Sequence, residues 1–279
     1  MDALVTTEWL AGELNATDLR IVDASYFLAD SGRNAAAEYE AAHIPGAVFM
    51  DLAEIADTSS TLPMMLPSPE KFASRMQSLG LGDGSRIVLY DDSPLHTAAR
   101  AWWMLRTFGA HDVAILDGGI AKWKAEGRET KSGKESLRHR HFTVWADDKG
   151  LRTLTQMKAN VDTSAEQVMD ARSAARFTGQ EPDPRPATMP GHIPGSKNIP
   201  YGQIFNADGT WKQGDALKAV YTDAGIDLSR PLVGTCGSGI TAAVLVFGAH
   251  LLGNEAALYD GSWSEWGADL STPKAMGPA

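Results

Sequence analysis

The chain carries one pattern twice, in the same order and at nearly the same spacing. Ile21-Val22-Asp23-Ala24 returns as Val168-Met169-Asp170-Ala171, and His43-Ile44-Pro45-Gly46 returns as His192-Ile193-Pro194-Gly195. Asp117-Gly118-Gly119 with Trp123 returns as Asp260-Gly261-Ser262 with Trp266. A period this long exceeds any solenoid unit and reads as a duplicated domain. Each half alternates short apolar runs with helical patterns. In the first, residues 21–24, 47–50, 86–90 and 113–117 read as strands, and 37–43, 69–80, 98–109 and 120–127 as helices or helical turns. In the second, residues 168–171, 196–200, 231–235 and 256–260 read as strands, and 240–252 as a buried helix. The expectation is an α/β chain of two tandem domains, each a mostly parallel sheet flanked by helices. The boundaries are 1–127 and 153–279, and the Lys-, Ser-, Gly- and Arg-rich stretch 128–152 reads as a connector.

A net charge of −10 argues against nucleic acid and anionic membranes as partners. No run approaches 18 apolar residues, and the N-terminal stretch has no basic segment followed by an apolar core, so a cytoplasmic protein is expected. One cysteine in 279 residues excludes an internal disulfide and any multi-thiolate metal site, and fits a reducing compartment. His139 and His141 are too isolated to suggest a metal and read as solvated connector.

That cysteine, Cys236, follows a strand and opens Cys-Gly-Ser-Gly-Ile-Thr at 236–241, ahead of a helix. Backbone N–H groups of such a loop converge on the first side chain and stabilise negative charge there. This makes a thiolate nucleophile available, whereas a buried cysteine without such a setting is a small inert hydrophobe. In the first half, the strand Arg86–Tyr90 leads to Asp91 opposite Cys236, and the close-set glycines are missing. The first half is therefore expected to support the second without sharing its chemistry. Thr241 can cap the following helix with its hydroxyl, and Asp23 and Asp170 read as turn or capping residues. Trp102, Trp103, Trp263 and Trp266 read as packing.

The paired His-Ile-Pro-Gly turns, the 236–241 loop and the closing Tyr-Asp-Gly-Ser-Trp-Ser-Glu-Trp at 259–266 together resemble the tandem-domain rhodanese superfamily, over nearly the whole chain. The loop looks more like that of its 3-mercaptopyruvate sulfurtransferases. Thiosulfate-using rhodaneses place Arg and Lys after the cysteine, where this chain has Gly237 and Ser238. A neutral loop suits a donor whose charge is a carboxylate some atoms from its sulfur. The resemblance implies substrate-carboxylate arginines at Arg176 and Arg185, which otherwise read as surface arginines paired with Glu181 or Asp183. It implies Cys236 as nucleophile, Ser238 and His43 as proton-handling partners, and Gly237, Gly239, Ile240 and Thr241 as substrate-binding loop. The acid of such a relay falls on Asn34 or Asp30. His43 has a second reading, a turn histidine bonded to backbone, which is also the reading of His192.

The implied activity moves sulfur from 3-mercaptopyruvate through a Cys236 persulfide to thioredoxin, a small thiol or cyanide, with no metal or organic cofactor. A thiosulfate sulfurtransferase and a persulfide carrier without turnover are the alternatives. Other motifs fit less well. Residues 237–242 match G-x-G-x-x-A by letter, but only 37 residues follow Ala242, too few for the strands that normally come after a dinucleotide fingerprint. An esterase elbow would need glycine at 236 and 240. A cysteine phosphatase loop would close on arginine, where Thr241 stands.

Overall fold

The computed structural model describes residues 1–145 and 147–278. It divides into two compact units. Unit 1 comprises Met1–Thr58, Leu66–Asp147 and Ala207–Trp211, and unit 2 comprises Ser59–Met65, Asp148–Asn206 and Lys212–Ala279.

Unit 1 is built on a sheet of β1 (Leu4–Val5), β2 (Leu19–Asp23), β3 (Ala47–Phe49), β4 (Arg86–Tyr90) and β5 (Val113–Leu116) in the order β1-β5-β4-β2-β3. Unit 2 repeats it with β6 (Leu151–Arg152), β7 (Gln167–Asp170), β8 (Lys197–Asn198), β9 (Leu232–Thr235) and β10 (Ala256–Tyr259) in the order β6-β10-β9-β7-β8. Neighbouring strands run parallel in both sheets. The central strands are buried along their length, as a sheet covered on both faces requires. Their cores centre on Ile21, Val88, Tyr90 and Trp123 in unit 1, and on Val168, Val233, Trp263 and Trp266 in unit 2. The edge strands β1 and β6 escape a reading of sequence pattern because two residues are too few to show a period.

Residues 128–145 do not behave as a free connector. Lys131 bridges to His43, Thr143 bonds the Asp83 carboxylate through both its N–H and its hydroxyl, and Phe142 is buried. The stretch runs along unit 1 because it carries apolar and hydrogen-bonding groups that the basic composition hides. Among the described residues no helix is long and apolar enough to cross a membrane, and no group of three or more His, Cys, Asp or Glu could hold a metal.

Candidate active site

In unit 2 the chain leaves β7 for β8 on one side and returns past it to β9 and then β10 on the other. The carboxyl ends of β7 and β9 therefore flank the point where the strand order reverses, the usual ligand crevice of a parallel sheet. Asp170 ends β7, and Cys236 immediately follows β9.

Cys236 is 2% exposed and free. Its N–H donates to Ser262 Oγ (3.2 Å), and its carbonyl accepts from Trp263 N–H (3.0 Å). Gly237 O accepts from both the N–H (2.9 Å) and the hydroxyl (2.5 Å) of Ser264. Gly239 takes φ +77°, a left-handed conformation that glycine adopts without steric cost. Ile240 is buried, and Ser238 and Thr241 are partly exposed. The helix Ala242–Leu251 starts two residues later than the apolar pattern suggested. Thr241 is its N-cap residue, but it sits in helical conformation (φ −75°, ψ −18°) and its side chain makes no capping bond. The expected hydroxyl cap is thus corrected: an N-cap side chain reaches back to the helix N–H groups from an extended backbone, which Thr241 lacks.

Arg185 lies against this loop. A methyl group at Gly237 would fall 2.7 Å from Arg185 Nη2, so a side chain there would push the guanidinium aside. Arg185 and Arg176 converge on one carboxylate, Asp183, through Nη1–Oδ1 (3.0 Å) and Nη2–Oδ2 (2.5 Å) bonds. The Asp183 side chain is 1% exposed, while the Arg185 and Arg176 side chains keep 29% and 22% of their surface. Burial pushes the Asp183 carboxyl up, but the Arg176 bond, the Arg185 N–H and the two positive charges outweigh it and hold the group below the usual carboxylate value. The pairing with Asp183 is real, yet it is not a solvated surface bridge. One buried acid fixes two cations, and the cluster keeps a net positive charge beside the cysteine loop. Behind it, Arg172 is buried on Asp170 (2.6 Å), with its guanidinium over the Trp263 ring at 4.4 Å. Asp170 also accepts Arg172 N–H, so it is a turn residue as expected and an ion-pair partner besides.

His43 is held inside unit 1, with Nε2 3.9 Å from the Glu135 carboxylate. It is fully buried in unit 1, its ring stacks on Tyr39 (4.4 Å), and Nδ1 bonds Tyr39 O (2.9 Å). His192 repeats this in unit 2, stacked on Phe177 (3.8 Å) with Nδ1 bonded to Phe177 O (2.9 Å). Both histidines lock their turns through these backbone bonds. Neither acid candidate of the relay pairs with His43. Asn34 is occupied capping the helix Ala35–Ala41 through Ala37 N–H, and Asp30 stands exposed on the 3₁₀ turn Ala29–Ser31.

Asp183, Ser262 and Ser264 were not legible as site residues. The first sits in an acidic, proline-rich loop like any surface carboxylate, and the serines are ordinary letters in a helical turn. The signal that could have found the serines is the repeat itself, which puts Gly119 and Ala121 in their places.

A Rhodanese-like domain matches the chain twice, over residues 6–126 and 153–269. The 3-mercaptopyruvate sulfurtransferase of Mus musculus is 42% identical over 271 residues, covering 95% of this chain and 91% of the relative. The thiosulfate sulfurtransferase of Cricetulus griseus is 39% identical over 272 residues, covering 95% and 91%. The crystal structure of SseA from Escherichia coli, a 3-mercaptopyruvate sulfotransferase, matches with a TM-score of 0.86 at 37% identity, over 95% of this chain and all of that one.

Proposed function

The chain belongs to the rhodanese family, and from that premise we propose that it transfers sulfur from 3-mercaptopyruvate through Cys236. Relatives named for either donor are nearly equally similar, so overall identity does not choose between mercaptopyruvate and thiosulfate. The observation that carries the choice is Arg185 against Gly237: the loop itself holds no charged side chain, and a cation lies beside it. A donor that carries its carboxylate several atoms from its sulfur spans that separation. Arg176 and Arg185 bind the carboxylate, and their planar forks leave donors free beyond those given to Asp183.

The reaction is a double displacement. Cys236 thiolate attacks the donor sulfur, a sulfur–sulfur bond forms, and the donor carbon–sulfur bond breaks with its electron pair going to carbon. The proton that starts on the donor thiol ends on the methyl group of pyruvate, with the partly exposed Ser238 hydroxyl as the group that passes it. An acceptor thiolate or cyanide then attacks the outer sulfur, the sulfur–sulfur bond breaks, and Cys236 thiolate returns. Thioredoxin and small thiols suit a persulfide at the mouth of such a loop. A lone free cysteine as nucleophile suits a reducing, cytoplasmic setting. The deciding test is the ratio of kcat/KM for mercaptopyruvate over thiosulfate. A ratio well above one is expected, and a better rate with thiosulfate overturns the donor assignment. A single stoichiometric burst of pyruvate with no turnover under any acceptor would mark a carrier instead.

A further inference from the structure

The turn after the last strand of each unit is built on one plan. Gly119 (φ +56°) in unit 1 and Ser262 (φ +48°) in unit 2 occupy equivalent left-handed positions. In unit 1 a Cβ here would lie 2.4 Å from Asp91 O, and glycine is the residue found. Unit 2 instead keeps a side chain in a conformation that disfavours one. The serine is fully buried, accepts Cys236 N–H, and donates to Tyr259 O (2.8 Å). Two residues on, Ser264 replaces Ala121 and grips Gly237 O.

Other bonds around the two loops are common to both units. Ala171 N–H donates to Thr235 O as Ala24 N–H donates to Tyr90 O, and Trp263 N–H donates to Cys236 O as Ile120 N–H donates to Asp91 O. The hydroxyl bonds have no counterpart, because Gly119 and Ala121 carry no hydroxyl. The hydroxyls thus occur in the unit with the thiol, and one of them stands where the backbone favours glycine.

We propose that Ser262 and Ser264 are positioning residues for sulfur transfer, a two-point clamp on the peptide before Cys236 and on the Gly237–Ser238 peptide after it. Ser262 holds the N–H of the peptide before the cysteine, whose carbonyl is already held by Ala171. Ser264 holds the carbonyl of the Gly237–Ser238 peptide. A trans peptide is planar, so fixing Gly237 O toward the helix Ser262–Trp266 turns Ser238 N–H the opposite way. The clamp thereby sets both the direction of the sulfur and the direction of a loop N–H, which is the preorganisation that an anionic nucleophile and persulfide require.

This rests on Cys236 as the nucleophile, and the experiment separates the two claims. Ser262→Gly copies unit 1 and relieves the left-handed side chain. It should melt at or above the parent temperature while kcat for pyruvate release falls about tenfold. KM for mercaptopyruvate should stay within about twofold, since Arg176 and Arg185 are untouched. Ser262→Ala should lose the same activity and also melt lower. Ser264→Ala should lose several-fold in kcat, and Ser264→Thr should recover most of it. Iodoacetamide alkylation of Cys236 across pH should be slower in Ser262→Gly, with its profile moved to higher pH. Parent-like kcat in both Ser262→Gly and Ser264→Ala, or losses that merely track melting temperature, would overturn the clamp. Turnover retained by Cys236→Ser would instead overturn the nucleophile.

Discussion

The loop of unit 1 displays what the loop of unit 2 is built to do, and where it falls short. Asp91 stands where Cys236 stands, and its carboxylate is held by loop amides: Ser93 N–H on Oδ1 (3.0 Å) and Ala98 N–H, the first residue of the helix Ala98–Thr107, on Oδ2 (2.6 Å). In unit 1 the fold therefore cradles an acceptor atom at this position. Yet the Asp91 carboxyl is pushed up to about 7, chiefly by burial, with Asp23 and Asp92 adding repulsion. Two N–H donors do not offset that. In unit 1 the nearby cation, Arg33, is spent on Glu38 and Asp92. Unit 2 sets two arginines on one buried acid beside its loop, leaving an excess of positive charge. The duplicated backbone leads from a strand through this loop into a helix in both units, and the surrounding charges and hydroxyls decide whether the position can do chemistry. The cavity of about 310 Å³ beside the Asp91 loop, lined by Asp92, His96 and Trp211, belongs to the unit without a thiol.

The sharpest way to break this contrast is at its centre. Cys236→Ser keeps the cradle and removes the sulfur, and turnover with any donor should fall by roughly 1,000-fold or more. Mass spectrometry of the donor-treated parent should show one added sulfur on Cys236, lost on reduction. An adduct elsewhere would mean that the two loops do not differ in the way described.

A smaller effect sharpens the charge side of the comparison. Arg185→Leu should raise KM for mercaptopyruvate by about 10- to 100-fold, the range for a lost charge-assisted bond, with kcat moved much less. Gly237→Ala leaves every charge in place but puts a methyl group where Arg185 Nη2 lies. It should move KM the same way, by about fivefold, with melting temperature nearly unchanged. An unaltered KM in Gly237→Ala would show that the guanidinium does not work from the loop rim.

The repeat made most of this fold legible. Strands such as Arg86–Tyr90 are continuous apolar runs bounded by turn residues, and the recurrence of three motifs fixed the two-domain plan. The cysteine loop was legible because glycine spacing and a following apolar helix are local signals. What escaped was decided by tertiary packing. His43 and His192 lie in identical tetrapeptides, and only the rings stacked on Tyr39 and Phe177 show that both are internal. The meeting of Arg176, Arg185 and Asp183 depends on how one polar loop folds back on itself. Ser262 is identified by its backbone conformation and by what it touches, and neither is written in its neighbours.

The smallest expected effect tests the cradle of unit 1 without touching catalysis. Asp91 holds its proton to about pH 7 when folded, while the unfolded chain releases it near the ordinary value of 3.8. Between these limits the folded state binds more protons, so this group's contribution to stability is complete at low pH, falls as pH rises, and levels off above about 7. Asp91→Asn has no such proton. Its melting temperature should gain on the parent's between pH 5 and pH 8, by a few degrees at most, because the residue as a whole is only half-buried and two amides compensate in part. A gap that stays flat across that range would mean that the amides already hold a carboxylate anion against burial. In that case the bare loop would suffice to keep a negative atom at this position, and the arginines of unit 2 would be left with the donor's carboxylate as their whole task.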